Sequence, residues 1–138
     1  MLQRLLQYKE FCNDNLEESQ LSEEDWTTIQ DIIKVLNPVY KATITLQRSQ
    51  LLLGDFYKLW LNLKLQVKTI NSSAAKVLLH CLEARESKIL NNEAVNAAIF
   101  LDPRLKRLLS CEQKAKAKKH LKYIAFRMLS LNQVWIVY

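Results

Sequence analysis

The stretch Leu21–Leu46, LSEEDWTTIQDIIKVLNPVYKATITL, decides the fold class. Ser22 with Asp25 three positions on is close to a capping box, with Asp standing where Glu or Gln is usual. Apolar residues then recur at helical spacing: Trp26, Ile29, Ile32, Ile33, Leu36, Val39 and Tyr40. That stripe needs a partner surface to bury it. Pro38 lies inside the pattern. Its ring removes a backbone donor and crowds the preceding turn, so a kink or break is expected near Leu36–Asn37, giving one bent helix or two segments.

The rest of the chain fits the same class. Its 138 residues are one domain by size, and 49% hydrophobic content suffices for a sizeable core. One glycine and two prolines are too few for the tight turns of a sandwich or barrel. Strong helix formers dominate. The expectation is an all-α, irregular bundle of five to seven helices over residues 1–130, with a non-helical apolar tail at 131–138. Cys12, Cys81 and Cys111 are odd in number and far apart, without zinc-ligand spacing, and read as buried or neutral thiols in a reducing compartment. Neither metal nor cofactor is expected. Gln3, Arg4, Gln7 and Lys9 interrupt any signal-peptide pattern, and no apolar run approaches a membrane span, so no membrane partner is expected.

A first helix is read over residues 1–13 and a linker over 17–20. Gln47–Gly54 reads as a break, with Asp55 as N-cap of a helix carrying Phe56, Leu59, Trp60, Leu63, Val67 and Ile70 on one side. Leu61 and Leu65 make that helix apolar nearly all round, and it is expected to be the most buried. Asn71-Ser72-Ser73 closes it and caps the next, and Asn91-Asn92 marks a further break. A short apolar helix follows over Glu93–Phe100. Asp102 is read as a cap, with Pro103 at a first helical position. Ser110 with Gln113 is a capping box by spacing, opening a basic helix to about Leu129. Val134-Trp135-Ile136-Val137-Tyr138 is β-prone and uncharged.

Charge is unevenly distributed. The net is −5 over residues 1–37, +3 over 38–103 and +8 over 104–127. On a helical wheel Ala117, Leu121, Ile124, Ala125 and Met128 share one side of the basic helix. Lys118, Lys119 and Lys122 flank or oppose them, and Lys116 and Arg127 lie on the other flank. Tyr123 and Phe126 fall among the lysines. Basic residues interleaved with aromatics suit phosphate contact combined with base stacking. The candidate nucleic-acid-binding residues are therefore Lys114, Lys116, Lys118, Lys119, Lys122, Tyr123, Phe126 and Arg127. Trp26 and Trp60 lie on apolar stripes and read as core. Glu23, Glu24 and Asp25 read as charge favouring a helix N-terminus. His80 and His120 form no triad with a serine.

Several of these residues also carry a resemblance. Leu21-Ser22-x-x-x-Trp26, then Leu36-x-Pro38-x-Tyr40-x-Ala42-Thr43-x-x-Leu46, is similar to the core signature of hAT-superfamily (hobo/Ac/Tam3) transposases and the zinc-finger BED-type proteins derived from them. Ala97-Ala98-Ile99-Phe100-Leu101-Asp102-Pro103-Arg104-Leu105-Lys106 resembles that family's A-x-x-L-D-P-R-x-K segment. Met1-Leu2-Gln3-Arg4-Leu5-Leu6 resembles the helix after its W-N-S-T strand. The resemblance spans about residues 1–130 and implies the helical domain inserted into the transposase's RNase H-like sheet. The family's three catalytic acids, which hold two divalent metals, have no matching positions here, so an enzyme is not expected. The implied protein is a non-catalytic transposase remnant, intracellular and nuclear, contacting DNA through its basic helix. The alternatives are a protein-interaction or structural module, self-associating through its acidic and basic ends or the Trp135–Tyr138 tail, and a folded transposon fragment with no selected activity. In the interaction reading, Glu17, Glu18, Glu23 or Glu24 neutralises the lysines.

Overall fold

The computed structural model describes residues 1–15, 21–48 and 50–135. All regular structure among them is helical: α1 (Leu2–Gln7), α2 (Lys9–Asn15), α3 (Glu23–Leu46), α4 (Leu53–Lys68), α5 (Ser73–Leu90), α6 (Glu93–Leu101), a 3-10 turn (Lys106–Leu108) and α7 (Cys111–Trp135). The chain divides into two compact units. The first comprises Met1–Arg48 and Leu61–Cys81, the second Ser49–Trp60 and Leu82–Tyr138. Helices α4 and α5 each contribute residues to both.

In the first unit α1 packs on α3. Ser22 Oγ accepts from the Asp25 N–H at 3.1 Å, while Asp25 Oδ2 accepts from the Ser22 N–H at 3.0 Å. This reciprocal box starts α3 where the sequence places it, and the Ser22 hydrogen bonds hold the Asp25 carboxyl below its ordinary pKa. Of the kink or break expected near Leu36–Asn37, the break does not occur: α3 runs uninterrupted from Glu23 to Leu46 with Pro38 inside it. Proline costs the helix one donor, opposite the Lys34 carbonyl, and the strong helical pattern on both sides outweighs it. Trp26, Val35, Leu63, Val67 and Ala75 are this unit's buried apolar side chains. Burial of each valine or leucine among them stabilises by about 1.5–3 kcal/mol. Trp26 is 1% exposed, with Lys9 Nζ 5.8 Å from its ring, so packing accounts for it as expected.

The second unit centres on α6, which packs along α7 and touches the 3-10 turn. Asn92 caps α6 by accepting from the Ala94 and Val95 N–H groups. Val95, Asn96, Ala97 and Ile99 are buried, so α6 is the most enclosed helix, and α4 is not. A wheel that is apolar all round does not tell how many neighbours a helix meets, and Leu65 of α4 lies exposed. Asn96 Nδ2 donates to the Leu90 carbonyl at 2.6 Å and ties α6 to the end of α5.

Other boundaries shift. The first helix is interrupted at Tyr8. α4 starts at Leu53, so Gly54 and Asp55 lie in its first turn and Asp55 is not the cap. Asp102 ends α6 instead of starting a helix, and its carboxylate accepts from the Arg104 N–H and guanidinium. α7 continues to Trp135, so the expected non-helical tail is helical over 131–135. Helix propagation from a well-capped start carries through β-prone residues. Residues 136–138 lie outside the described residues.

Candidate nucleic-acid interface

The basic helix is α7, and its capping box is complete. Ser110 Oγ accepts from the Gln113 N–H at 3.2 Å, and Gln113 Oε1 accepts from the Ser110 N–H at 2.8 Å. Ala117, fully buried, seats the helix on α6. His120 Nδ1 lies 3.1 Å from Glu93 Oε2 at the start of α6 and adds a second tie. These contacts fix which side of α7 faces inward. Its buried and half-buried positions are Gln113, Lys114, Ala117, His120 and Leu121, and its other positions through Leu131 are exposed.

The candidate residues divide accordingly. Lys114 is half-buried on the inward flank. Lys118 stands 5.9 Å from the Phe100 ring centre and belongs to the same flank. Lys116 is exposed but bound to Glu112 Oε1 at 2.8 Å, which lowers the Glu112 pKa and raises that of Lys116. Lys119, Lys122, Tyr123, Phe126 and Arg127 share the outward side. Tyr123 is 56% and Phe126 72% exposed, so neither ring packs beneath a neighbour. The Arg127 guanidinium lies 5.6 Å from the Tyr123 ring centre. Among the described residues no ion pair joins Lys119, Lys122 or Arg127 to an acid. The eight candidates thus form an outward cluster of five, with Lys114, Lys116 and Lys118 set apart.

Of the acids that the interaction reading pairs with the lysines, Glu23 bonds Lys9 Nζ at 2.8 Å within the first unit. Glu17 and Glu18 lie outside the described residues. Lys106 and Arg107 are cations that the helix-based reading passes over. Lys106 Nζ stands 4.4 Å from the Phe100 ring centre, so this ring draws Lys106 and Lys118 together. Both cations lie within the +8 segment, and only the chain's return through the 3-10 turn brings Lys106 beside α7. Arg104 sits in the same segment but is committed to Asp102, with Nη2–Oδ2 at 2.7 Å, and holds the Asp102 carboxyl down at about 2. Cys81 and Cys111 are exposed and Cys12 is half-buried, all as free thiols. His80 is exposed.

What this surface offers chemically is positive charge that no acid of the described residues neutralises, beside two ring faces open to solvent. Lys119, Lys122 and Arg127 are cations of the kind that can meet phosphates. Tyr123 and Phe126 are open faces of the kind on which unstacked bases can stack. No helix of the described residues is long and apolar enough to cross a membrane. Comparison with known proteins finds no matching family model, no curated protein and no solved structure.

Proposed function

We propose that the chain is a nucleic-acid-binding module that grips the sugar–phosphate backbone with Lys119, Lys122 and Arg127 and stacks bases on Tyr123 and Phe126. One observation carries the reading: two exposed aromatic rings stand among three cations that no acid of the described residues neutralises. A solvated lysine face needs no exposed tyrosine and phenylalanine, and a core-packed ring would not be 72% exposed as Phe126 is. Because the rings need unpaired bases, a single strand is the preferred ligand over a duplex of equal length. The resemblance of Leu21–Leu46 and Ala97–Lys106 to hAT transposases supports the same reading, with the chain as a non-catalytic, nuclear derivative.

Fluorescence anisotropy with a labelled single strand and a labelled duplex, across a salt series, tests it. Three phosphate contacts at about 0.7 counter-ions each give a log–log slope near −2 on a single strand, so affinity falls about 20-fold between 50 and 200 mM salt. The combined Lys119→Ala, Lys122→Ala and Arg127→Ala variant removes most of that slope. Tyr123→Ala with Phe126→Ala leaves the slope and costs about 1–3 kcal/mol per stacked base on the single strand only. Absence of binding at low salt sinks the reading.

A further inference from the structure

We infer that Lys106 and Lys118, gathered on the Phe100 ring, form a second phosphate-binding corner that carries a single strand off α7 onto the 3-10 turn. The inference rests on the outward side of α7 being a single-strand surface, and it adds a contact point that the five outward residues lack. Lys106 Nζ stands 4.4 Å and Lys118 Nζ 5.9 Å from the centre of the same ring, so the two ammoniums are no farther apart than those two distances together. The two lysines come from different elements. α6 packs along α7 and touches the 3-10 turn, which places both cations against the last turn of α6.

A ring has no net charge. It holds ammoniums by its quadrupole and leaves their positive field unneutralised. Acids could neutralise that field, but residues 93–135 contain only Glu93, Asp102 and Glu112. Glu93 lies against His120, Asp102 against Arg104 and Glu112 against Lys116. Among the described residues no ion pair joins Lys106 or Lys118 to an acid. Both residues are exposed. Two like charges held close together and open to water favour an anion that meets both.

Continuity with the outward side selects a phosphodiester strand as that anion. Lys118 and Lys122 are an i,i+4 step apart on α7, about 6 Å along the axis and about 40° round it. Lys122 belongs to the outward five. A backbone that runs past Lys122 next meets Lys118, and then Lys106 across the ring. Phe100 is half-buried and its ring is taken up by the two ammoniums, so it offers no stacking face. This corner therefore takes phosphates and not bases, and it adds affinity without sequence preference.

Anisotropy titrations of the whole chain with labelled oligothymidylate single strands of about 4 to 20 nucleotides test the corner. A strand just long enough for the outward side shows the slope near −2. Two further contacts at about 0.7 counter-ions each steepen a longer strand's slope to near −3.5, so its affinity falls about 130-fold between 50 and 200 mM salt instead of about 20-fold. Lys106→Gln with Lys118→Gln returns the long strand to the shallower slope and leaves the shortest bound strand unchanged. Lys41→Gln with Lys76→Gln removes the same charge from exposed positions of the first unit and leaves both slopes as in the wild type. Circular dichroism is unchanged in both variants, because all four residues are exposed. Strand binding whose long-strand slope ignores Lys106→Gln with Lys118→Gln overturns this inference alone. So does an equal effect of the Lys41 and Lys76 pair, or tighter binding of a polyglutamate peptide than of the long strand. Absence of strand binding at low salt overturns the reading of α7 and this inference with it.

Discussion

Asn96 offers a sharp test of how the second unit is held together. It is 1% exposed, and its Nδ2 donates to the Leu90 carbonyl at 2.6 Å across the α5–α6 junction. Asn96→Asp keeps the shape and replaces the donor with a carboxylate oxygen. At neutral pH an anion then faces a carbonyl oxygen in a site closed to water. The lost hydrogen bond costs about 1 kcal/mol, and an uncompensated buried charge brings the total to about 3–5 kcal/mol. That is a large share of the stability of a small domain. Protonation restores a donor, so the folded state raises the pKa of the introduced carboxyl above its unfolded value. The penalty is therefore full at neutral pH and shrinks as pH falls through that raised value. Asn96→Ala serves as the companion variant, losing the bond without adding charge, at about 1–3 kcal/mol independent of pH. Urea denaturation followed by helical ellipticity at several pH values reads both. Equal destabilisation by the two variants at neutral pH, or an Asp variant whose deficit ignores pH, would refute this account of the junction.

Ser22→Ala removes half of the α3 capping box and costs about 1 kcal/mol in thermal or chemical melts. In the same variant the Asp25 carboxyl, now without its Ser22 hydroxyl donor, titrates nearer its ordinary value by NMR. Gly54→Ala stabilises by about 0.5 kcal/mol, because Gly54 lies in a helical first turn without positive φ and the added methyl meets Asp102 Oδ2 at an ordinary 3.8 Å. Tyr57 is buried, and burial, followed by the Glu86 charge and hydrogen bond, pushes its phenol up to about 12. A raised phenol pKa gives stability that is full below pH 10 and lost as pH rises through about 12. Tyr57→Phe therefore flattens the alkaline limb of a stability–pH profile while costing about 1 kcal/mol at neutral pH.

Helix starts were the most legible part of the chain. Ser22, Ser72, Asn92 and Ser110 each cap where local chemistry places them, because a cap is decided by residues within one turn. Burial was less legible. α4 looks more apolar than its surroundings allow, whereas α6 is short and most enclosed because α7 and the 3-10 turn close on it. At Pro38 the break alternative, and at the β-prone end of α7 the non-helical tail, both yield to helix continuing from either side or from before. Within the candidate interface, the outward grouping of Lys119, Lys122, Tyr123, Phe126 and Arg127 follows from the helical wheel. The pairing of Lys116 with Glu112 was available as an i,i+4 spacing. The approach of Lys106 and Lys118 to Phe100 was not, because it depends on the chain reversing after α6.

Binding of single strands by α7 is tested by titrating isotopically labelled protein with a short single-stranded oligonucleotide, followed by amide and aromatic NMR shifts. Saturable shifts concentrated at residues 116–127 are expected, with the Tyr123 and Phe126 ring signals moving upfield as bases stack on them. Shifts confined to other parts of the chain, or none at low salt, would contradict it.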